Sequence, residues 1–569
     1  MLLAHALKLF YQYHEIACVT FDLAPHLREH IPMILLHSLM RIMHIQQLDG
    51  SWDNICETTS YGILALSSIV KVPFVRQLDT ERIISAINLA KSYLHANRGG
   101  WNKGHYMWIE KVTYSSDTLS RAYCLAASIV PTPTIVELEQ TFLLLDHEFL
   151  VPDELLLGMR KSGTLLSRTP LCFATEAHSL RAAELQACFA LQSLQRDAPR
   201  IFPRTAKGKD KYTFLIPLTF TVCAESYGCS TSVSVLYEMM VLSILNFHVD
   251  EYMEGVVEEN FGTALGPIRN LVQYIFTESR PLQHNTASGG DAILQSNGYP
   301  GDEKHDSPEG PNALPSVRDV STVLHEFVKH ILDHPAVLSS PAHLQMQLAS
   351  ELQTFLLAHI SDAEDNNRFR RQLRSHDKSA TLQAEKNGVN GTSPIQFLEP
   401  GRTFYKWVHS TSADHTSCPF SFVFFNCLLN HAGTSRTGQK SSSGILASAR
   451  TAYIAEDACR HLSRLCRIYN DIGSLQRDVD EEALNSLNFP EFFIQAATKL
   501  ASGMPISDTT GKTELLWIAD HERRGLKTAM ELLEELLHKG LMDALHMFVD
   551  VTDLYGQIYV LKDVGTRTQ

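Results

Sequence analysis

Apolar residues recur at three- and four-residue spacing along most of this chain, which is the period of a helix with one buried face. The pattern is clearest in four segments, at 81–96, 231–247, 318–334 and 528–551. Alternating apolar and polar residues bounded by turn dipeptides, which are typical of β-strands, are scarce. The sequence therefore predicts an all-α protein.

Composition narrows the classes of function. Of the 569 residues, 44% are hydrophobic and 20% are charged, enough for one large or two ordinary cores. A formal net charge of -14 argues against a nucleic-acid partner, because neutralising phosphates needs clustered Lys and Arg. The cysteines are scattered, with no Cys-x-x-Cys pair, which argues against a zinc site and favours a reducing, cytoplasmic location. No apolar run reaches the roughly 20 residues of a membrane span, so we expect none.

Two stretches interrupt the helical pattern. Residues 278–316 are rich in Gly, Pro, Ser, Asn and Asp, and residues 361–394 are polar and lack an apolar period. Segments of this composition cannot bury enough apolar surface to offset the entropy of ordering the chain. We therefore expect both to be disordered surface insertions.

An acidic motif, Asp250-Glu-Tyr-Met-Glu254, follows the apolar run at 236–247. If the helix continues, the two outer carboxylates lie one turn apart and repel each other unless a cation lies between them. Mg²⁺ prefers oxygen ligands, and it binds through one or two carboxylates together with substrate phosphates. An acidic pair at this spacing is most often a solvent-facing surface, so the motif by itself is weak evidence for a metal site.

A further polar motif, Asn470-Asp-Ile-Gly473-Ser474-Leu-Gln-Arg-Asp478, places an amide, a hydroxyl and a carboxylate along one helical stripe. Oxygen donors in such a row suit a hard cation. Glycine inside a helix costs about 1 kcal/mol relative to alanine, so Gly473 indicates either the close approach of another group or a kink. The alternative interpretation is a capping or turn segment, because Asn-Asp and Gly-Ser are turn-prone.

Together the two motifs resemble those of class I terpene synthases. The motif at 250–254 resembles their aspartate-rich motif in its Asp-Glu-x-x-Glu form. The motif at 470–478 resembles their Asn/Ser/Glu motif, with Asp in place of the commoner Glu at its last position. The segments at 236–254 and 469–493 are similar to fungal bifunctional copalyl diphosphate/ent-kaurene synthases, and so are those at 108–127, 201–223 and 407–425. The likeness covers nearly the whole chain outside the expected insertions.

This resemblance implies a class I terpene synthase helical bundle at 131–569, preceded at 1–130 by a partial helical domain of the class II type. It also implies three Mg²⁺ ions around a prenyl diphosphate. The metal ligands it implies are Asp250, Glu254, Asn470, Asp471, Ser474 and Asp478. Arg467 and Arg477 flank the second motif and are expected to bind the diphosphate. The segment 46–52 resembles Gln/Gly/Trp repeats that tie helices together, for which we expect a structural role.

Several functions stay open on these grounds. Copalyl diphosphate supplied by a separate synthase is the first expectation, because no Asp-x-Asp-Asp acid motif occurs in the sequence. Direct cyclisation of farnesyl or geranylgeranyl diphosphate is a close variant. A non-catalytic partner of a class II cyclase is a second class of function. A chain-elongating prenyltransferase is disfavoured, because such enzymes carry two aspartate-rich motifs.

Overall fold

Helices make up nearly all the regular structure of the computed structural model, so the all-α prediction is confirmed. The structure describes residues 5–6, 25–109, 112–143, 150–202, 212–262, 264–278, 316–380, 395–437, 444–493 and 509–561. The helices of more than two turns in these ranges are α1 (Pro25–His44), α2 (Cys56–Ile69), α3 (Thr80–Ala96), α4 (Asp117–Ile129), α5 (Ile135–Leu143), α6 (Asp153–Leu166), α7 (Ala177–Ile201), α8 (Leu215–Ser226), α9 (Val233–Tyr252), α10 (Gly266–Glu278), α11 (Val317–Leu332), α12 (Ala342–Ala380), α13 (Cys418–Thr437), α14 (Ala449–Asp480), α15 (Thr509–Glu534) and α16 (Lys539–Leu561).

Short elements connect these helices. Two strands, β1 (Met107–Ile109) and β2 (Val112–Tyr114), form an antiparallel hairpin between α3 and α4. Single turns of α- or 3₁₀-helix lie at Pro73–Gln77, Arg98–Gly100, Glu259–Phe261, Pro335–Leu338, Phe404–Trp407, Ser486–Asn488 and Pro490–Phe492. Two π-helical turns, at Met253–Glu258 and Val408–Ser412, continue helical segments.

The four periodic segments all fall on helices, and local signals fix where some of them begin. At the start of α3, the Asp79 carboxylate accepts a hydrogen bond from the backbone N–H of Arg82. At the start of α11, Ser316 and Asp319 form a reciprocal capping box. The segment at 528–551 is divided between α15 and α16, because the chain leaves the helical path after Glu534.

The long helices pack around one continuous apolar core. α14 packs along both α15 and α16, α7 packs along α1 and α8, and α12 packs along α13. One helical stretch, Val233–Phe261, is long and apolar enough to cross a membrane by length and composition. Most of its apolar window is buried in the bundle, and core helices pass the same test, so it is weak evidence for a membrane span.

The segment 46–52 ties the first helices together, as expected. The Gln46 side chain donates a hydrogen bond to the Ala86 carbonyl at 3.0 Å, and the Trp52 indole donates to the Ile42 carbonyl at 2.9 Å. The same apolar core runs from these helices into the rest of the bundle. The domain boundary at 130/131 therefore stays a prediction, because the packing is continuous across it.

The expected insertion at 361–394 is wrong for residues 361–380, which continue α12. Asp365 is buried between Arg368 and Arg402, and Arg370 pairs with Glu258. These ion pairs add to the burial of Ala363 and Phe369 in the apolar core, so this part of the helix is held without a regular apolar period. Residues 381–394 lie outside the described residues, as do 279–315 of the other expected insertion.

Candidate active site

The first acidic motif lies where α9 passes into a π-helical turn. Asp250 is in the last turn of α9, and Glu254 and Glu258 are in the π-turn Met253–Glu258 that follows it. The helical path therefore continues through the motif, as its interpretation requires. π-Turns inside helices are frequent at functional sites because they redirect side chains by inserting one residue.

Negative charge gathers at this motif. The Glu254 side chain is exposed to solvent in part, while the surrounding protein desolvates its carboxyl group. Burial, and then the nearby Asp250 carboxylate, raise the pKa of Glu254 to about 7, against an opposing effect of His359. A carboxyl group whose pKa lies this close to neutral pH is suited to exchange its proton for a metal cation.

The neighbouring wall comes from α12, and sequence reasoning missed it. The His359 imidazole lies 3.1 Å from the Asp250 carboxylate, and Asn366 donates a hydrogen bond to Asp362 at 3.0 Å. His359, Asp362 and Asn366 follow one another at i, i+3 and i+7, the spacing of a single helical face. That polar stripe was the available signal, but it extends into the segment interpreted as an insertion.

The second motif forms the predicted stripe on α14. Ser474 and Asp478 are buried, and the Ser474 hydroxyl donates a hydrogen bond to Oδ2 of Asp478 at 2.6 Å. Burial and the charge of Asp471 raise the pKa of Asp478, while hydrogen bonds from Ser474 and Asn485 oppose the shift. Asn470, one turn earlier, is partly exposed. The amide, hydroxyl and carboxylate are thus presented in the predicted order.

Gly473 is explained by the close approach of α16. A Cβ atom at this position would lie 2.2 Å from the carbonyl oxygen of Tyr559. A reciprocal contact occurs one turn earlier on α16, where a Cβ atom on Gly556 would lie 2.7 Å from the ring of Tyr469. Because α14 runs without a break from Ala449 to Asp480, close packing and not a kink accounts for this glycine.

The geometry does not support Asp471 as a metal ligand. Its Oδ2 atom accepts hydrogen bonds from the backbone N–H and the hydroxyl of Ser486, at 2.9 and 2.6 Å. Its Oδ1 atom lies 2.8 Å from Nε of Arg467. One residue along a helix is a rotation of about 100°, which turns Asp471 away from the stripe of Asn470. Protein donors therefore occupy both of its oxygens.

Arg467 lies next to the second motif. Its guanidinium group is mostly buried, lies 5.1 Å from the ring centre of Trp407, and interacts with Asp471. Burial alone would lower the pKa of Arg467, but surrounding carboxylates raise it above its ordinary value. The carboxylates responsible are Asp471, Asp362, Asp478 and Glu254, in that order. Arg467 lies 4.0 Å from Asp362 on α12, the helix whose His359 lies 3.1 Å from Asp250 of the first motif. We call the region between α12 and the two motifs the cleft.

The other predicted cation, Arg477, lies closer to solvent. Its Nε atom is 3.6 Å from Oδ1 of Asp478, and 23% of its side chain is exposed. Near these residues, the Tyr212 hydroxyl contacts the Tyr559 hydroxyl on α16 at 3.1 Å, and the Tyr212 ring lies 4.8 Å from the ring of Phe247 on α9.

The donor set fits magnesium better than a metal held by protein alone. Among the described residues, no three His, Cys, Asp or Glu side chains form a ready-made metal site. The cleft instead offers carboxylates on one wall and an amide, a hydroxyl and a carboxylate on α14. Mg²⁺ keeps several waters and takes further ligands from a bound phosphate, so it does not require a protein cage.

Comparison with known proteins agrees with these motifs, although no family model matches the chain. The chain is 34% identical over 547 residues to the pimaradiene synthase pbcA of Emericella nidulans, covering 94% of this chain and 51% of that protein. It is 29% identical over 551 residues to the bifunctional ent-kaurene synthase of Gibberella fujikuroi, covering 94% and 52% respectively. This chain is a homologue of the fungal diterpene synthases. The resemblance predicted from the motifs is therefore confirmed.

This diterpene synthase homologue spans about half the length of the curated relatives it matches. One solved structure, the isoprene synthase of grey poplar, aligns over 98% of this chain and 88% of its own, with 11% identity. The TM-score of that alignment is 0.35, which is too low to carry an argument.

Proposed function

We propose that this chain is a class I terpene cyclase that ionises a prenyl diphosphate by loss of diphosphate and cyclises the resulting carbocation to a diterpene. Copalyl diphosphate is the substrate we propose first, because the resemblance of the motifs implies it. The observation that supports the proposal most directly is that α12 contacts groups of both motifs. His359 on α12 lies 3.1 Å from Asp250, and Asp362 on α12 lies 4.0 Å from Arg467, which precedes the second motif on α14.

Asp250 and Glu254 would hold Mg²⁺ on one wall, and Asn470, Ser474 and Asp478 would hold it on the other. Three ions are expected from the family resemblance. When bound, Mg²⁺ neutralises the charge that builds up on a departing diphosphate. The raised pKa of Glu254 supports this assignment, because the cleft favours added positive charge, either as a proton or as a metal ion.

The remaining side chains would position and balance these ligands. His359 holds Asp250 from α12 through the 3.1 Å contact. Arg477 lies closer to solvent and would contact the diphosphate. Arg467 is engaged by Asp471, so we assign it mainly to holding the carboxylates together. This refines the expectation that both arginines bind substrate.

Aromatic side chains next to the first motif would stabilise the carbocation. The rings of Tyr212 and Phe247 lie 4.8 Å apart, and Phe247 precedes Asp250 by three residues on α9. Ring faces stabilise a nearby cation by roughly 0.5–2 kcal/mol each, and more strongly when water is excluded. The carbocation would end by proton loss or by capture of an admitted water.

The test is a product assay with three substrates. Purified protein with Mg²⁺ is incubated with copalyl, geranylgeranyl or farnesyl diphosphate, and both inorganic diphosphate and terpene products are measured. We expect release with at least one substrate, and a loss of more than about 100-fold in Asp250→Asn and Asp478→Asn. Asp480→Asn is the matched control, because Asp480 is an exposed carboxylate near the end of the same helix. No release by the wild-type protein from any substrate would disprove the proposal and favour a non-catalytic partner.

We further propose that copalyl diphosphate comes from a class II activity outside these 569 residues, since they contain no Asp-x-Asp-Asp motif. A cytoplasmic location is consistent with the cysteines that the structure describes, all of which are free thiols. Production of the terpene from geranylgeranyl diphosphate only when a copalyl diphosphate synthase is added would support this arrangement.

A further inference from the structure

The loop that follows α14, residues 481–493, is unusual because three of its polar side chains are buried. Asn485, Ser486 and Asn488 are exposed by only 1%, 0% and 4%. Loops normally lie on the surface, and a buried polar group costs free energy unless it is hydrogen-bonded. The partners of these side chains therefore indicate what the loop does. We call residues 481–493 the clamp loop.

Asn485 reaches directly to the last residue of the second motif. Its Nδ2 atom donates to Oδ2 of Asp478 at 2.8 Å and to the backbone carbonyl of Asp471 at 2.8 Å. The Oδ1 atom of the Asn485 side chain accepts a hydrogen bond from the Leu487 N–H at 3.0 Å. Ser474 donates to the same Oδ2 atom of Asp478 at 2.6 Å. Two donors thus hold Oδ2 of Asp478, whereas its Oδ1 atom lies 3.6 Å from Nε of Arg477.

The clamp loop is itself anchored on two sides. On α14, the Ser486 N–H and hydroxyl both bind Asp471. On α12, the Asn366 side chain accepts from the Leu484 N–H at 2.8 Å and donates to Asp362 at 3.0 Å. Asp478 is thus connected to Asp362 on α12 through the Asn485 side chain, the adjoining backbone of Leu484 and the Asn366 side chain. The position of Asn485 is therefore fixed by both walls of the cleft.

A third anchor lies away from the motif. Asn488 donates from Nδ2 to the Ile395 carbonyl at 2.9 Å and accepts from the Asn485 N–H at 2.7 Å. Within the described part of the chain, these side-chain hydrogen bonds reach none of the proposed metal ligands. Asn488 therefore offers a comparison for changes that only loosen the loop.

We propose that Asn485 is a positioning residue for Asp478, which it orients so that one carboxylate oxygen faces the metal ion and the other stays bound to protein. This inference rests on the proposed function, because it concerns the same cleft. An amide suits the task because it is neutral. It fixes the carboxylate by a hydrogen bond and leaves the full negative charge available to a cation, whereas an arginine or lysine would neutralise it.

Removing the amide should release Asp478. The carboxylate could then rotate towards Arg477, whose Nε atom already lies 3.6 Å from Oδ1. Pairing with this guanidinium would direct the free oxygen away from the cleft. Loss of a hydrogen bond that orients a metal ligand typically lowers metal affinity about 10–100-fold. The change should appear in the Mg²⁺ requirement before it appears in the fold.

The test compares Asn485→Leu with Asn488→Ala in the full chain. The first measurement is the Mg²⁺ concentration that gives half of the thermal shift observed with inorganic pyrophosphate. The second is the Mg²⁺ concentration that gives half-maximal diphosphate release. We expect Asn485→Leu to raise both Mg²⁺ midpoints about tenfold or more, with activity largely restored at high Mg²⁺. Asn488→Ala should lower the unfolding temperature and leave the Mg²⁺ midpoint within about twofold of wild type, because its side chain does not touch a proposed ligand.

Two further variants keep the inference open to refutation. If Asn485→Leu does not fold, Asn485→Ser tests the same point, because serine cannot reach Asp478. In an Asp478→Asn background, Asn485→Leu should shift the midpoint of the pyrophosphate-dependent thermal response no further, since both changes act on one interaction. If the wild-type protein is active and Asn485→Leu and Asn488→Ala have equal Mg²⁺ midpoints, the inference is overturned. A wild-type protein that neither responds to Mg²⁺ and pyrophosphate nor releases diphosphate would instead refute the proposed function.

Discussion

Replacing Gly473 with alanine tests whether close packing of α14 against α16 positions the second motif. The added Cβ atom would lie 2.2 Å from the carbonyl oxygen of Tyr559 and 2.7 Å from its carbonyl carbon. Both are backbone atoms, so no rotamer change can relieve the contact. The two helices must separate by roughly 1 Å to restore ordinary van der Waals distances.

Two opposing effects set the expected stability change. Overpacking of this kind costs about 1–3 kcal/mol. Alanine in place of glycine inside a helix stabilises the folded protein by about 1 kcal/mol. We therefore expect a net destabilisation of up to about 2 kcal/mol, seen as a lower unfolding temperature.

The effect on turnover should be larger than the effect on stability. Ser474 follows Gly473 directly, and Asp478 lies on the same rigid helix. A displacement of about 1 Å at a reacting centre can cost about 100-fold in rate. The rate of diphosphate release under saturating Mg²⁺ should therefore fall about 10–100-fold.

Gly433→Ala is the matched control for Gly473→Ala. Gly433 is also helical, in α13, and a Cβ atom there would meet nothing within 4 Å. We expect this variant to gain up to about 1 kcal/mol and to keep wild-type turnover. If Gly473→Ala instead matched the control, with a raised unfolding temperature and full activity, the close approach of α16 could not be the reason for this glycine.

Three further predictions concern the acidic cleft and the N-terminal helices. The affinity for Mg²⁺ with pyrophosphate, measured by calorimetry, should rise from pH 6 to pH 8. The pKa of Glu254 is raised to about 7, and its carboxyl group must lose a proton before it binds the metal ion. Glu254→Gln should weaken this pH dependence. Arg370→Gln should lower stability by about 1–3 kcal/mol in thermal unfolding, because it leaves the mostly buried Glu258 without its partner. Trp52→Phe removes the hydrogen bond to the Ile42 carbonyl and should cost about 1 kcal/mol of stability, with turnover unchanged.

The sequence was sufficient for those features that depend on local geometry. Helical period follows from the rotation per residue, so the apolar spacing in α3, α9 and α11 predicted helices without knowledge of their neighbours. The same rotation put Asn470, Ser474 and Asp478 on one stripe of α14. The likeness to fungal diterpene synthases was also visible in the motifs, because the types and spacing of the side chains proposed to bind metal can be read from the chain itself.

Only the tertiary structure decided which of these side chains are available for chemistry. Asp471 belongs to the motif in sequence, yet Ser486 and Arg467 occupy its oxygens. Residues 361–375 resemble an insertion in sequence, yet Asp365 and Arg370 find the distant partners Arg402 and Glu258 and belong to α12. The physical reason is the same in both cases. A carboxylate is free or occupied according to the donors that folding brings within about 3 Å, and neither spacing nor composition records which donors those will be.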